Sequence, residues 1–289
     1  MIEPFTKYLL NEKRYSKHTV QSYEIDLLQF QSFLENCDES ITTANSKNLR
    51  AWVVSLIEAK ISSRSVNRKI ASLRSFYKFL LKRELVSENP ATKLKPLKTP
   101  KALPEFVQKS DMDILLDHVE FGDDFAGIRD KVTIDLLYGT GMRLSELINL
   151  KISDIDFYGG TIKVLGKRNK ERLIPLSKDN ITLLRSYIKT KEDASYHSHF
   201  LILTDAGSQA YPMMINRLVK KYLNHISKVY KKSPHVLRHT FATHLLDNGA
   251  DLNAVKELLG HASLAATQVY THNSLEKLKS TFDLAHPKA

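Results

Sequence analysis

Four of the nine prolines lie close together, at Pro90, Pro96, Pro100 and Pro104. Proline lacks a backbone N–H donor and biases the residue before it away from helix, so a continuous element across this stretch is excluded. Lys93, Lys95, Lys98 and Lys101 occupy the same stretch with no acid among them, which reads as an extended basic linker. A chain of 289 residues is long for one domain and comfortable for two. The expected organisation is a domain over residues 1–89, a linker over 90–104 and a second domain over 105–289.

The first domain reads as all-helical. Ser16 is a good N-cap, and after it Val20, Tyr23, Leu27, Phe30 and Leu34 recur three and four apart, giving one apolar helix face. A second helix is expected over about 46–59, with Leu49, Val53 and Leu56 inward. A third begins near Ser62 or Ser63 with the stripe Val66, Ile70, Leu73, Tyr77 and Leu80. From Lys60 to Arg83 this region carries eight basic residues and no acid. Solvated helix faces normally mix signs to gain i,i+4 pairs, so a run of one sign favours a phosphate-binding surface, with Arg64, Arg68, Lys69 and Arg74 as the expected contacts. The neutral alternative is a solvated face with no partner.

The second domain reads as helices plus one small sheet. Helices are expected at 109–119, 124–138, 143–149, 178–190, 212–229, 235–248 and 251–259. Between them, Ile155 to Tyr158, Thr161 to Leu165 and Arg172 to Leu176 are β-prone runs separated by Gly159-Gly160 and by the basic turn Gly166 to Lys170, a three-stranded antiparallel pattern. The fold class is therefore mainly α, a helical N-terminal domain followed by a mixed α/β domain.

Charge points to the partner. Lys and Arg total 43 against 32 Asp and Glu, a net of +11; residues 1–101 hold 18 basic and 10 acidic residues, so most of the excess lies in the first third. That asymmetry suits a polyanion. At 42% hydrophobic and 26% charged, the composition is that of a globular chain rather than a disordered one. No apolar run comes near the roughly 18 residues of a membrane span, and Met1 to Leu10 show no secretory pattern, so no membrane association is expected. Cys37 is the single cysteine, which forbids an intrachain disulfide and a multi-cysteine zinc site. A reduced, cytoplasmic protein is the simplest expectation.

No Walker loop, GxGxxG after a strand, nucleophile elbow or HExxH pair is present. Gly139-Thr140-Gly141 reads as a helix-breaking turn. The densest reactive cluster is Pro234 to His244, where His235 and Arg238 lie three apart on a helix, with Val236, Leu237, Phe241, Leu245 and Leu246 on the buried side. His235 and His239, four apart, allow a metal reading, but no acidic ligand is near and Arg238 would sit beside the cation. An imidazole with a guanidinium better suits an anionic oxygen. Arg143 opens a helix against the dipole preference, with Glu146 three residues on to hold it. Gly260 is a plausible helix stop before His261. Alone, His261 reads as a surface histidine and Tyr270 as a core aromatic.

Together these segments carry a resemblance. Thr140-Gly141-Met142-Arg143-Leu144-Ser145-Glu146-Leu147, Gly166-Lys167, His235-x-x-Arg238-His239, Leu258-Leu259-Gly260-His261 and Tyr270-Thr271-His272 resemble the signature boxes of the tyrosine recombinases, with the Xer branch fitting best. The resemblance spans nearly the whole chain, including the ending Phe282 to Ala289. It implies a helical core-binding domain and a catalytic domain that close as a C-shaped clamp on double-stranded DNA. It also implies Tyr270 as nucleophile forming a 3′-phosphotyrosyl intermediate, with Arg143 and Arg238 on the scissile phosphate. Lys167 is the implied general acid; His235 and His261 assist, and Glu146 supports Arg143. Neither metal nor nucleotide cofactor is implied. The expected function is site-specific strand exchange, resolving chromosome dimers at a dif-like site. The expected assembly is a homo- or hetero-tetramer with a related recombinase, linked by the tail from about Leu275 to Ala289 docking into a neighbour and activated by an FtsK-like translocase. The alternatives are a phage or transposon integrase of the same fold, a type IB topoisomerase-like enzyme, and a catalytically silent DNA-binding relative.

Overall fold

In the computed structural model, residues 1–99, 105–166, 171–260 and 272–286 are described. The chain divides into two compact units, Met1–Ala102 and Leu103–Ala289, each with its own apolar core.

The first unit contains helices α1 (Ile2–Asn11), α2 (Lys17–Glu35), α3 (Ser46–Glu58) and α4 (Ser63–Lys82). Ser16 and Ser62 cap α2 and α4, their side chains accepting the Thr19 and Ser65 N–H groups, which satisfies donors a helix start leaves open. Val20, Leu27, Phe30 and Leu34 of α2 meet Leu49, Trp52 and Val53 of α3 and the α4 stripe Val66, Ile70, Leu73, Tyr77 and Leu80 in the core. Leu56 and Tyr23 are half-buried at its edge. The α4 face is wider than a single stripe, since Phe76 and Phe79 are buried as well.

Part of the expected linker belongs to this unit. Asn89 caps a 3₁₀ turn over Pro90–Lys93, a position where proline's missing N–H costs nothing. Arg74 Nε donates to the Ala91 carbonyl at 3.4 Å and its Nη2 to the Leu94 carbonyl, while Asn67 bonds both ways with the Leu97 backbone at 2.7 and 2.9 Å. Residues 90–97 are therefore fastened to α4 rather than extended.

The second unit is helical around one small sheet. It contains α5 (Lys109–Asp113), continued by a π-helical turn over Ile114–His118, then α6 (Phe125–Thr140), α7 (Leu144–Asn149), α8 (Lys178–Asp193), α9 (Pro212–Ile226), α10 (Pro234–Asp247), α11 (Leu252–Leu259) and α12 (His272–Ala285). Strands β1 (Ile155–Asp156), β2 (Thr161–Leu165) and β3 (Glu171–Pro175) pair antiparallel in the order β1-β2-β3, with Ile162 opposite Ile174 and Val164 opposite Arg172. Ile162, Val164 and Ile174 are buried, so one face of the sheet lies on the core, as period-2 alternation requires. Leu246, expected inward, is exposed on α10; His244 is buried instead, 2.9 Å from the Tyr138 hydroxyl.

The tail lies within its own unit. Leu278, Phe282, Ala285 and His286 are buried. His286 stacks on Phe282 and its Nε2–H donates to the Gly139 carbonyl at 2.9 Å, while Asn248 donates to the Ala285 carbonyl at 2.9 Å. In this single chain the apolar stripe of the segment is therefore buried against its own unit.

Candidate active site

The site grows from two helix endings. Helix α6 stops because Gly141 takes a left-handed conformation at φ +58, which suits glycine. A side chain there is excluded for a second reason, since a Cβ would lie 2.3 Å from the Phe241 ring. Helix α11 stops likewise at Gly260, φ +61. Both endings leave carbonyl groups without helical partners, at the negative pole of the helix.

Three arginines from three other elements take up those carbonyls. Arg172 of β3 donates from Nε to Leu258 O at 2.8 Å. Arg238 of α10 donates from Nη2 to Leu259 O at 2.6 Å and from Nη1 to Gly141 O at 2.5 Å. Arg143, the N-cap residue of α7, donates from Nη2 to Gly260 O at 3.0 Å. Three successive carbonyls at the end of α11 thus each hold one guanidinium, and Arg238 joins that end to the end of α6.

One carboxylate ties the cluster. Glu146 Oε2 accepts the Arg143 backbone N–H at 2.7 Å, and Oε1 accepts Arg143 Nη1 at 2.7 Å. Arg172 grips both carboxylate oxygens, at 2.7 and 2.8 Å, the planar fork geometry that lysine cannot supply. The Glu146 side chain is 2% exposed and that of Arg172 5%, whereas that of Arg143 is 23% exposed. Burial alone would raise the Glu146 pKa, but the hydrogen bonds and charge of Arg172 and then Arg143 prevail and hold it below its ordinary value. Arg238 is shifted down to about 10, first by burial and then by the positive charges of Arg143 and Arg172. It stays protonated at neutral pH. Three guanidiniums against one carboxylate leave an uncompensated positive charge with its accessible side at Arg143. Such a site attracts an anion with several acceptor oxygens.

His235 lies in the first turn of α10, exposed to solvent, three residues before the buried Arg238. Lys167, between β2 and β3 in the chain, His261, directly after Gly260, and Tyr270, between α11 and α12, lie outside the described residues. The structure thus brings together Arg143, Glu146 and Arg238 of the expected set. Arg172 escaped the residue-by-residue reading. It shares a strand face with Ile174 at i, i+2, and a charge on the inward face of a strand signals a buried partner.

The expected phosphate contacts on α4 divide by burial. Lys69 is 6% exposed. Its Nζ lies 2.9 Å from Asp26 Oδ1, also bonds Gln29, and sits 5.8 Å from the Trp52 ring centre. Lys69 is therefore removed from the set of expected phosphate contacts: it neutralises a buried carboxylate. Arg68 reaches the other Asp26 oxygen and the Ser22 carbonyl with its side chain 42% exposed. Arg74 is engaged with the backbone of residues 91 and 94. Arg64 is exposed.

Comparison with known proteins identifies the family. Residues 105–277 match the phage integrase family, and residues 2–84 match the phage integrase N-terminal SAM-like domain. The chain belongs to the phage integrase family. Within that family it is similar to tyrosine recombinase XerC of Oceanobacillus iheyensis, 40% identical with 100% of this chain and 96% of the relative covered. It is also similar to XerC of Chlorobaculum parvum, 36% identical with 100% and 94% covered. Its fold is like that of a XerH site-specific recombinase bound to a palindromic difH substrate in a post-cleavage complex, with a TM-score of 0.74, 23% identity, and 97% of this chain and 83% of that chain covered. The family assignment makes this chain a tyrosine recombinase.

Proposed function

We propose that this protein cuts and rejoins duplex DNA at a dif-like site through a 3′-phosphotyrosyl linkage on Tyr270, resolving chromosome dimers. The observation that carries this reading is the buried cluster of Arg143, Arg172 and Arg238 around Glu146. A phosphodiester repels an incoming phenolate, and tyrosine, with a reference pKa of about 10, attacks poorly without help. Guanidiniums on the non-bridging oxygens offset both the ground-state charge and the charge that develops as attack proceeds.

In this reading the Tyr270 oxygen attacks phosphorus, and the bond from phosphorus to the 5′-oxygen breaks. The leaving 5′-oxygen takes a proton from Lys167. Arg143 and Arg238 hold the phosphate, His235 assists the proton transfers, and His261 donates to a phosphate oxygen. The energy of the broken bond is retained in the phosphotyrosine, so the reverse attack by a 5′-hydroxyl restores a phosphodiester. The reaction as written calls on no metal or nucleotide. The roles of Lys167, His261 and Tyr270 rest on the match of their sequence boxes to the family. The same reading includes assembly as a tetramer on two duplexes with a related recombinase, and activation by an FtsK-like translocase. The names of the XerC relatives support the recombinase reading.

A duplex nicked near the scissile phosphate tests the reaction. The wild-type protein is expected to become covalently attached to it, and Tyr270→Phe is expected to lose the adduct while still shifting the duplex in a gel. An adduct that persists in Tyr270→Phe would contradict the assignment.

A further inference from the structure

Arg172 is the member of the arginine cluster whose three guanidinium nitrogens are all bound within it. Its side chain is 5% exposed, Nη1 and Nη2 are bound to Glu146, and Nε is bound to Leu258 O. It joins three pieces of chain that the reaction uses: β3, which follows the connection containing Lys167; the first turn of α7, through Glu146; and the end of α11, directly before His261. The passage of its side chain is allowed by Gly260, where a Cβ would meet Arg172 Cδ at 3.1 Å.

We propose that Arg172 is a positioning residue for the phosphate site, acting through Glu146 to aim Arg143 and through the Leu258 carbonyl to hold the end of α11. The proposal rests on the recombinase reading. Glu146 holds Arg143 at both its backbone N–H and its guanidinium. A carboxylate gripped only by a partly exposed arginine would be free to rotate. The fork from Arg172 fixes both of its oxygens and so fixes which guanidinium edge Arg143 turns outward. Lysine at this position supplies charge but not two parallel donors plus a third at Nε. Displacement of a phosphate-binding group by about 1 Å suffices to slow a reaction ~100-fold.

Full-length Arg172→Lys and Arg172→Ala are compared with wild type on two nicked duplexes, one with an ordinary scissile phosphodiester and one with a methylphosphonate there. The methylphosphonate carries no charge and so needs less from Arg143. Thermal unfolding and gel shifts report folding and DNA affinity separately. The expected result for Arg172→Lys is a folded protein with DNA affinity near wild type and cleavage of the phosphodiester slowed about 10- to 100-fold. The deficit on the methylphosphonate is expected to be much smaller, so the ratio of the two rates falls. Equal deficits on both substrates would overturn the proposal and leave Arg172 a purely structural residue. Wild-type rates in both variants would overturn it as well. Failure of the wild-type protein to form any adduct would refute the recombinase reading itself, and the proposal with it.

Discussion

Replacing Glu146 by Gln removes the charge that Arg143 and Arg172 bind while keeping the side chain's size. Gln retains one carbonyl oxygen, but its NH₂ group would face the guanidinium donors. The Arg172 charge would then be buried without a counter-ion, because its side chain is 5% exposed and Glu146 is its only ion-pair partner among the described residues. Breaking a buried pair from one side costs about 3–5 kcal/mol, and the remaining oxygen argues for the lower end, about 3 kcal/mol. For a unit the size of Leu103–Ala289, this corresponds to a fall of roughly 6–12 °C in its melting temperature. The pH dependence follows from linkage. Glu146 has a pKa below its ordinary value of 4.5, so its contribution is complete above 4.5 and is lost as pH falls through the lower, folded value. Calorimetry of wild type and Glu146→Gln is therefore expected to show a wide gap at pH 7 that closes on acidification below 4.5. A variant that melts with wild type at pH 7, or a gap that widens toward acid, would refute the reasoning.

Two more consequences separate structure from DNA contact. Arg64→Ala is expected to weaken duplex binding and reduce the slope of log affinity against log salt by about 1 without a change in melting, whereas Lys69→Ala is expected to lower the melting temperature of the first unit by leaving the buried Asp26 with Arg68 alone. An unchanged salt slope in Arg64→Ala would return that face to ordinary solvation. Gly141→Ala is expected to destabilise the second unit and depress cleavage together, because its Cβ collides with Phe241 and the Gly141 carbonyl anchors Arg238; cleavage at the wild-type rate would show that the anchor does not matter.

Much of the fold is written locally. Ser16 and Ser62 cap the helices they precede, the apolar stripes of α2 and α4 enter the core, and Gly141 and Gly260 end helices where the sequence leads one to expect it. These features depend on residues within a turn or two of one another. What escaped detection depends on distant partners. Charge patterning along α4 alone gives no sign that Lys69 pairs with Asp26, 43 residues earlier. Arg172 looks like one more cation beside a basic turn until Glu146, 26 residues before it, is placed against both its nitrogens. The stripe of Leu278 and Phe282 reveals an apolar face but not whose groove receives it, and here the groove lies beside Phe241 and Gly139 of the same chain. The site's chemistry was readable as a set of residue types in order. Its geometry, with three guanidiniums on the end of one helix, was not.

The central claim is that this guanidinium cluster serves phosphoryl transfer to Tyr270. Mass spectrometry of the peptide recovered from a nuclease-trimmed protein–DNA adduct tests it most directly. The account predicts a 3′-linked nucleotide on the peptide containing Tyr270, with Arg238→Ala failing to accumulate it although still bound to the duplex. A nucleotide on any other residue, or full adduct yield from Arg238→Ala, would contradict it.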